Sequence, residues 1–235
     1  MSTTEGRVQS RGLSPIGRRG LFITFEGPDG SGKSTQARML AARLRKDGLD
    51  VLESVEPGGT PIGQQIRRIL LDPANKELTA ISELLLMFAA RAQNVEQRIL
   101  PALDRGAIVV SDRFTDSSIA YQGSGRGLGW ETVLELDRIA CRGLVPDLTL
   151  CIDIDTETGL ARAHSRASGS EAATELRFEE QAIEFHHKVR EAYHELGRQE
   201  PQRFRLIDGH GAPEAIAAKV WELIAPLVRL AAPSE

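Results

Sequence analysis

Cysteine is scarce, with Cys141 and Cys151 the only two in 235 residues. They form no CxxC pair and no metal-ligand spacing, so a disulfide framework and a thiolate metal site are set aside, and both read as small reduced hydrophobes of a cytoplasmic protein. Long apolar runs are missing too. The longest, Leu84 to Ala90, is far too short to cross a bilayer, and no membrane role is expected. There is no surplus of positive charge: 29 Lys and Arg against 33 Asp and Glu leave a formal net charge of -4. That argues against a nucleic-acid binder held by phosphate contacts, but leaves room for a small anion at a local basic cleft. No internal repeat is found. What is present is 41% hydrophobic and 26% charged residues, enough for a sizeable core and a wet surface, at a length that suits one α/β domain.

Residues 1–20 differ from the rest. They are rich in Ser, Arg and Gly, with Glu5 the only acid and Pro15 against a helix, and they read as a disordered tail rather than an amphipathic leader. From Leu21 short β-rich runs alternate with helical patterns: Leu21–Glu26, Leu49–Ser54, Ala107–Ser111, Asp147–Asp153 and Arg203–Ile207 are the strands. Between them, Ala37, Leu40, Ala41 and Leu44 mark a helix closed by Asp47-Gly48. Thr60-Pro61 predicts an N-cap followed by an N1 proline, with Ile62, Ile66, Ile69 and Leu70 along one face. A long pattern from Thr79 to Gly106 should break near Pro101. Phe185, Val189, Tyr193 and Leu196 mark another helix, and Ile216, Val220, Leu223 and Leu227 the last. Steady alternation predicts a parallel sheet covered on both faces, with ligands outside the carboxyl ends of its strands.

The most specific motif is Gly27, Pro28, Asp29, Gly30, Ser31, Gly32, Lys33, Ser34, which fits GxxxxGK[ST] between a strand and a helix. Glycines let the backbone curl so that successive N–H groups face phosphate oxygens, and the helix N-terminus adds partial positive charge. Lys33 is placed to reach the β and γ phosphates, Ser34 to bind Mg²⁺, and Thr35 to touch the α phosphate.

A P-loop implies a triphosphate but not a reaction. The third strand ends in Asp112-Arg113, where Asp112 is placed to hold Mg²⁺ or its water and Arg113 is a bidentate phosphate donor. Arg162, Arg166 and Arg177 flank a small polar stretch, Ala167 to Thr174, which suits a lid over a transferring phosphoryl group. A monophosphate acceptor explains this surplus of cations. It is already an anion, with a second pKa near ~6, and two polyanions must meet nearly in line. A hydroxyl acceptor needs a carboxylate base and fewer arginines.

From Leu21 to Arg229 the chain resembles the bacterial thymidylate kinases with lid arginines. The matching blocks are the P-loop, Glu56-Pro-Gly-Gly-Thr60, Phe88-Ala-Ala-Arg91, Asp112-Arg113, Ser118-Ile-Ala-Tyr121-Gln122, Pro146-Asp147-Leu148-Thr149 and Arg177-Phe178-Glu179. The resemblance implies a three-layer P-loop NTPase fold of the nucleoside-monophosphate-kinase kind, a five-stranded parallel sheet with a lid, over residues 21–230 with the lid at about 162–177. It also implies transfer of the γ-phosphate of Mg-ATP to dTMP, and a homodimer. Residue by residue, it implies that Asp29 organises Mg²⁺ and both nucleotides, that Arg113 and Arg67 hold the dTMP phosphate, and that Arg91 bonds the thymine. Ser118 and Gln122 read the base edge, Tyr121 underlies the deoxyribose, and Glu56 forms a wall of the acceptor site.

The chain departs from the family pattern in places. The P-loop contains no arginine, His164 stands at the middle position of the lid cations, and Leu176 replaces an acid before Arg177. The base-stacking aromatic should lie four residues before Arg91, where this chain has Met87, with Phe88 one residue off, a turn of ~100° on a helix. Both remain candidates. The alternatives are a deoxynucleoside kinase with Glu56 as its base, and a non-catalytic nucleotide-binding protein.

Overall fold

The computed structural model describes residues 20–167, 177–178 and 181–231. The expected tail, Gly20 apart, and the 168–176 part of the lid lie outside them.

Five strands are described, β1 (Phe22–Glu26), β2 (Val51–Val55), β3 (Ile108–Asp112), β4 (Leu148–Asp153) and β5 (Phe204–Asp208). They form one parallel sheet in the order β2-β3-β1-β4-β5. Each lies within two residues of the run read from the sequence. The central strands are buried on both faces, which is why they read as unbroken apolar runs.

Around the sheet run α1 (Lys33–Lys46), α2 (Pro61–Leu71), α3 (Ala80–Asn94), α4 (Leu100–Asp104), α5 (Thr115–Ser118), α6 (Trp130–Ala140), α7 (Thr156–Ala167), α8 (Ile183–Gln199) and α9 (Pro213–Ala231). Alternation along the strands feeds two cores. Phe22, Val109, Cys151 and Phe204 pack with Leu84 of α3, Val133 of α6 and Tyr193 of α8. Ile23, Phe25, Val110, Leu150 and Ile152 pack with Leu40 and Leu44 of α1 and Val220 and Ile224 of α9.

Local chemistry explains most boundaries. The Thr60 hydroxyl caps α2 by accepting from the Gly63 N–H at 3.0 Å, ahead of the N1 proline. The face read for α2 is only partly right. Leu70 is buried and Ile66 packs on the core, but Ile62 and Ile69 are exposed and Leu71 is buried in their place. The break expected at Pro101 comes earlier, as a π-helical turn at Val95–Ile99, and Pro101 sits harmlessly in the first turn of α4. A second π-helical turn, Ile119–Gly125, carries Tyr121 and Gln122. Because all strands are parallel, the P-loop after β1, Glu56 after β2 and Arg113 after β3 emerge at the same edge of the sheet.

Candidate active site

The loop from Gly27 to Gly32 turns through positive φ at Gly27, Gly30 and Gly32. A Cβ at Gly30 would run into the Gly159 carbonyl, and Gly32 caps α1 in the left-handed region at φ 94°. The backbone is thereby curled over the N-terminus of α1, with Ser34 and Thr35 half-buried in its first turn. The buried Ser31 hydroxyl has no hydrogen-bond partner among the described residues.

Asp29 is the centre of the charged cluster. Its Oδ1 accepts from Arg113 Nη2 at 2.6 Å and lies 3.8 Å from Lys33 Nζ, while its Oδ2 accepts from the Tyr121 hydroxyl at 2.7 Å. Arg113 Nη2 also donates to the Tyr121 hydroxyl at 3.0 Å, and its guanidinium stands 4.7 Å from the centre of that ring. Burial pulls the Asp29 carboxyl upward, but Arg113, Lys33 and the Tyr121 hydrogen bond outweigh it and hold the group below the ordinary carboxylate range. Asp29, Lys33, Arg113 and Tyr121, all read from sequence, thus form one connected group.

A second group lies beside it. Arg91 Nε donates to Glu56 Oε2 at 2.6 Å, and Asn94 Nδ2 donates to Glu56 Oε1 at 3.0 Å. Arg91 Nη2 donates to the Phe114 carbonyl at 3.1 Å, one residue from Arg113. Its remaining terminal nitrogen, Nη1, is buried with no hydrogen-bond partner among the described residues. Phe88 is buried beneath Arg91, with the guanidinium 4.6 Å from its ring centre, whereas Met87 stays partly exposed. Arg67 Nη1 donates to the Pro57 carbonyl at 3.0 Å. Ser118 is buried, and Gln122 Nε2 donates to Glu83 Oε1 at 2.9 Å.

The lid residues divide. Arg162 is exposed on α7. Arg166 falls within α7, its side chain outside what is described. Arg177, expected to face the transferring group, is sealed in the fold instead. Its Nη1 donates to Glu83 Oε2 at 2.6 Å and to the Leu70 carbonyl at 3.2 Å, and its Nε to the Asn75 carbonyl at 3.2 Å. The reason is Glu83, a fully buried carboxylate of α3 that also takes Arg126 at 3.1 Å.

The residues fit a magnesium ion. The Asp112 Oδ1 at the end of β3 is buried and has no hydrogen-bond partner among the described residues, and Ser34 is half-buried in the first turn of α1. Both are hard oxygen donors. Asp29, the third expected ligand, has both oxygens engaged by protein donors.

Sequence reasoning missed Glu26, Ser117 and Tyr193, which surround Arg113, and Glu83 and Arg126. An acid closing an otherwise apolar strand was the available signal for Glu26. Tyr193 looked like any apolar position of a core helix.

A family model described as thymidylate kinase matches residues 25–220. A thymidylate kinase of Pelobacter propionicus is 50% identical over 201 residues, 86% of this chain and 92% of its own. One from Pseudomonas putida is 48% identical over 209 residues, 89% of this chain and 97% of its own. The crystal structure of thymidylate kinase from Ehrlichia chaffeensis superposes with a TM-score of 0.71 at 30% identity, covering 88% of this chain and 99% of that one. Similarity of this extent, over a P-loop joined by Asp29 to an arginine-tyrosine pair, places the chain in the thymidylate kinase family.

Proposed function

We propose that this chain carries out the family's reaction, transfer of the γ-phosphate of ATP to dTMP, with the residue roles that follow. The observation that carries them is the Asp29–Arg113–Tyr121 group beside Lys33. These side chains suit a phosphate donor and a sugar-side aromatic next to a triphosphate cradle. The P-loop N–H groups and Lys33 hold the β and γ phosphates, and Arg113 and Arg67 hold the dTMP phosphate. Asp29 keeps Lys33 and Arg113 apart and oriented. The unpartnered Nη1 of Arg91 bonds the thymine, Met87 packs on its face, and Ser118 and Gln122 shape the base edge. Exposed Arg162, with Arg166, supplies charge to the transferring group.

Magnesium bound by Ser34 and Asp112 would neutralise phosphate charge as it develops. The acceptor dianion needs no base. That matches Glu56, whose two oxygens are already taken by Arg91 and Asn94, and it disfavours the deoxynucleoside-kinase reading. Replacing Arg113 by Ala should raise the KM for dTMP about 10- to 100-fold and leave that for ATP nearly unchanged. Steady-state kinetics with each substrate varied checks this, and equal effects on both KM values contradict the assignment.

The enzyme works as a homodimer in the cytoplasm. In support, Ile62 and Ile69 of α2 and Ile81 and Leu85 of α3 are about half exposed on two helices packed against each other. No described helix is long and apolar enough to cross a membrane. Sedimentation at micromolar concentration reads the oligomeric state.

A further inference from the structure

Arg113 has a backbone that its residue type disfavours. Its φ is 70°, and among the described residues only Arg142 shares a positive φ without being glycine. The conformation is tied down on every side. The Arg113 N–H donates to the Phe25 carbonyl at 2.9 Å, and the Ser111 hydroxyl donates to the Arg113 carbonyl at 2.8 Å. The next N–H, that of Phe114, donates to Glu26 Oε1 at 2.7 Å.

The other oxygen of Glu26 controls the side chain. Oε2 accepts from the Ser117 hydroxyl and, at 3.1 Å, from the Tyr193 hydroxyl. Those two oxygens in turn face Arg113 Nη1, at 2.9 Å and 3.3 Å. With both hydroxyl protons directed at the carboxylate, their lone pairs are left for the guanidinium. The fully buried Glu26 therefore bonds the backbone next to Arg113 and both hydroxyls that face its Nη1, while Asp29 and Tyr121 hold its Nη2. Glu26 is also the last residue of β1, next to Gly27, where the P-loop begins. The side chain that aims Arg113 is thus covalently joined to the triphosphate cradle.

We propose that Glu26 is the positioning residue of the acceptor clamp: it holds Arg113 in its left-handed turn, aims the guanidinium through Ser117 and Tyr193, and so sets the distance between the donor and acceptor phosphates. This rests on Arg113 holding the dTMP phosphate. In-line transfer between two polyanions is sensitive to small displacements, so the arrangement bears directly on rate as well as affinity.

The test is a double-mutant cycle on the full chain, with dTMP and ATP varied separately. Glu26→Ala should raise the KM for dTMP at least about tenfold and that for ATP less than about twofold. Glu26→Gln should recover only part of the loss, because its amide oxygen still accepts from the Phe114 N–H but its amide nitrogen donates to the hydroxyls instead of accepting from them. The double variant Glu26→Ala/Arg113→Ala should be no worse than Arg113→Ala alone, since Glu26 acts through that arginine. Additive losses in the double variant, or equal effects on the two substrates, overturn the proposal. If Glu26→Ala fails to fold, Ser117→Ala takes its place and is held to the same selectivity and the same non-additivity. An Arg113→Ala variant with an unchanged dTMP KM overturns the clamp itself. A normal Arg113→Ala loss with additive Glu26→Ala overturns only the positioning role.

Discussion

Tyr121 belongs at once to the charged cluster and to the aromatic core. Its hydroxyl lies between Arg113 and Asp29, and its ring packs edge-on to Phe178 and Phe185, with centroids 5.7 and 5.9 Å away. A phosphate clamp cannot tell deoxyribose from ribose, so sugar choice falls to the groups beside it. A 2′-hydroxyl against the ring loses its water without gaining a partner, a cost of about 1–3 kcal/mol. Tyr121→Ala should therefore lower use of dTMP and raise the relative use of 5-methyl-UMP by about one to two orders of magnitude in kcat/KM. Arg91→Ala should weaken both nucleotides and leave the ratio alone. An unchanged ratio in Tyr121→Ala moves the sugar reader elsewhere. The P-loop was legible from the sequence because its chemistry is contiguous. The surroundings of Arg113 were not, because Glu26 meets Ser117 and Tyr193 across 91 and 167 residues.

At the scale of elements, the lid arginines separate into two kinds. Arg162 stands exposed on α7, whereas Arg177 is pinned between the end of α2 and Glu83 of α3. Their charges look alike in the sequence, and only packing tells them apart: Glu83 and Arg177 lie 94 positions apart. Arg177→Ala leaves buried Glu83 with Arg126 as its arginine among the described residues, and should cost about 3–5 kcal/mol of stability. Arg162→Ala should cost less than about 0.5 kcal/mol and act on turnover instead. Urea unfolding alongside kcat for the two variants checks this, and a stable but inactive Arg177→Ala would restore that arginine to the lid. Strands and capped helices were legible because apolar period and Thr60-Pro61 chemistry are local. The π-helical turns at Val95–Ile99 and Ile119–Gly125 carry no such local signal.

For the molecule as a whole, the buried carboxyl groups of the site bear on stability. Burial, with Asp116 nearby, pushes the Glu26 carboxyl from its ordinary 4.5 up to about 7. A folded value above the unfolded one stabilises the protein in full below the unfolded pKa, and that contribution is lost as pH rises through about 7. Asp29 has the opposite sign: held low, it stabilises above its unfolded pKa and loses that effect as pH falls. Glu26→Gln removes only the first titration. Its stability relative to the unsubstituted protein should rise between about pH 5 and about pH 8, by at most about 3 kcal/mol, in urea unfolding at the two pH values. A difference that does not change with pH contradicts the raised value.

If a P-loop and an arginine clamp at one sheet edge move a phosphoryl group from ATP to dTMP, ADP release must depend on the acceptor. The most direct measurement is ADP release from Mg-ATP with dTMP, with thymidine, or with no acceptor, run beside a folded Lys33→Ala control. Release that depends on dTMP, with dTDP formed in equal amount and a loss of about 10²-fold or more in Lys33→Ala, is the expected result. Release driven by thymidine, or near-normal turnover in Lys33→Ala, would contradict it.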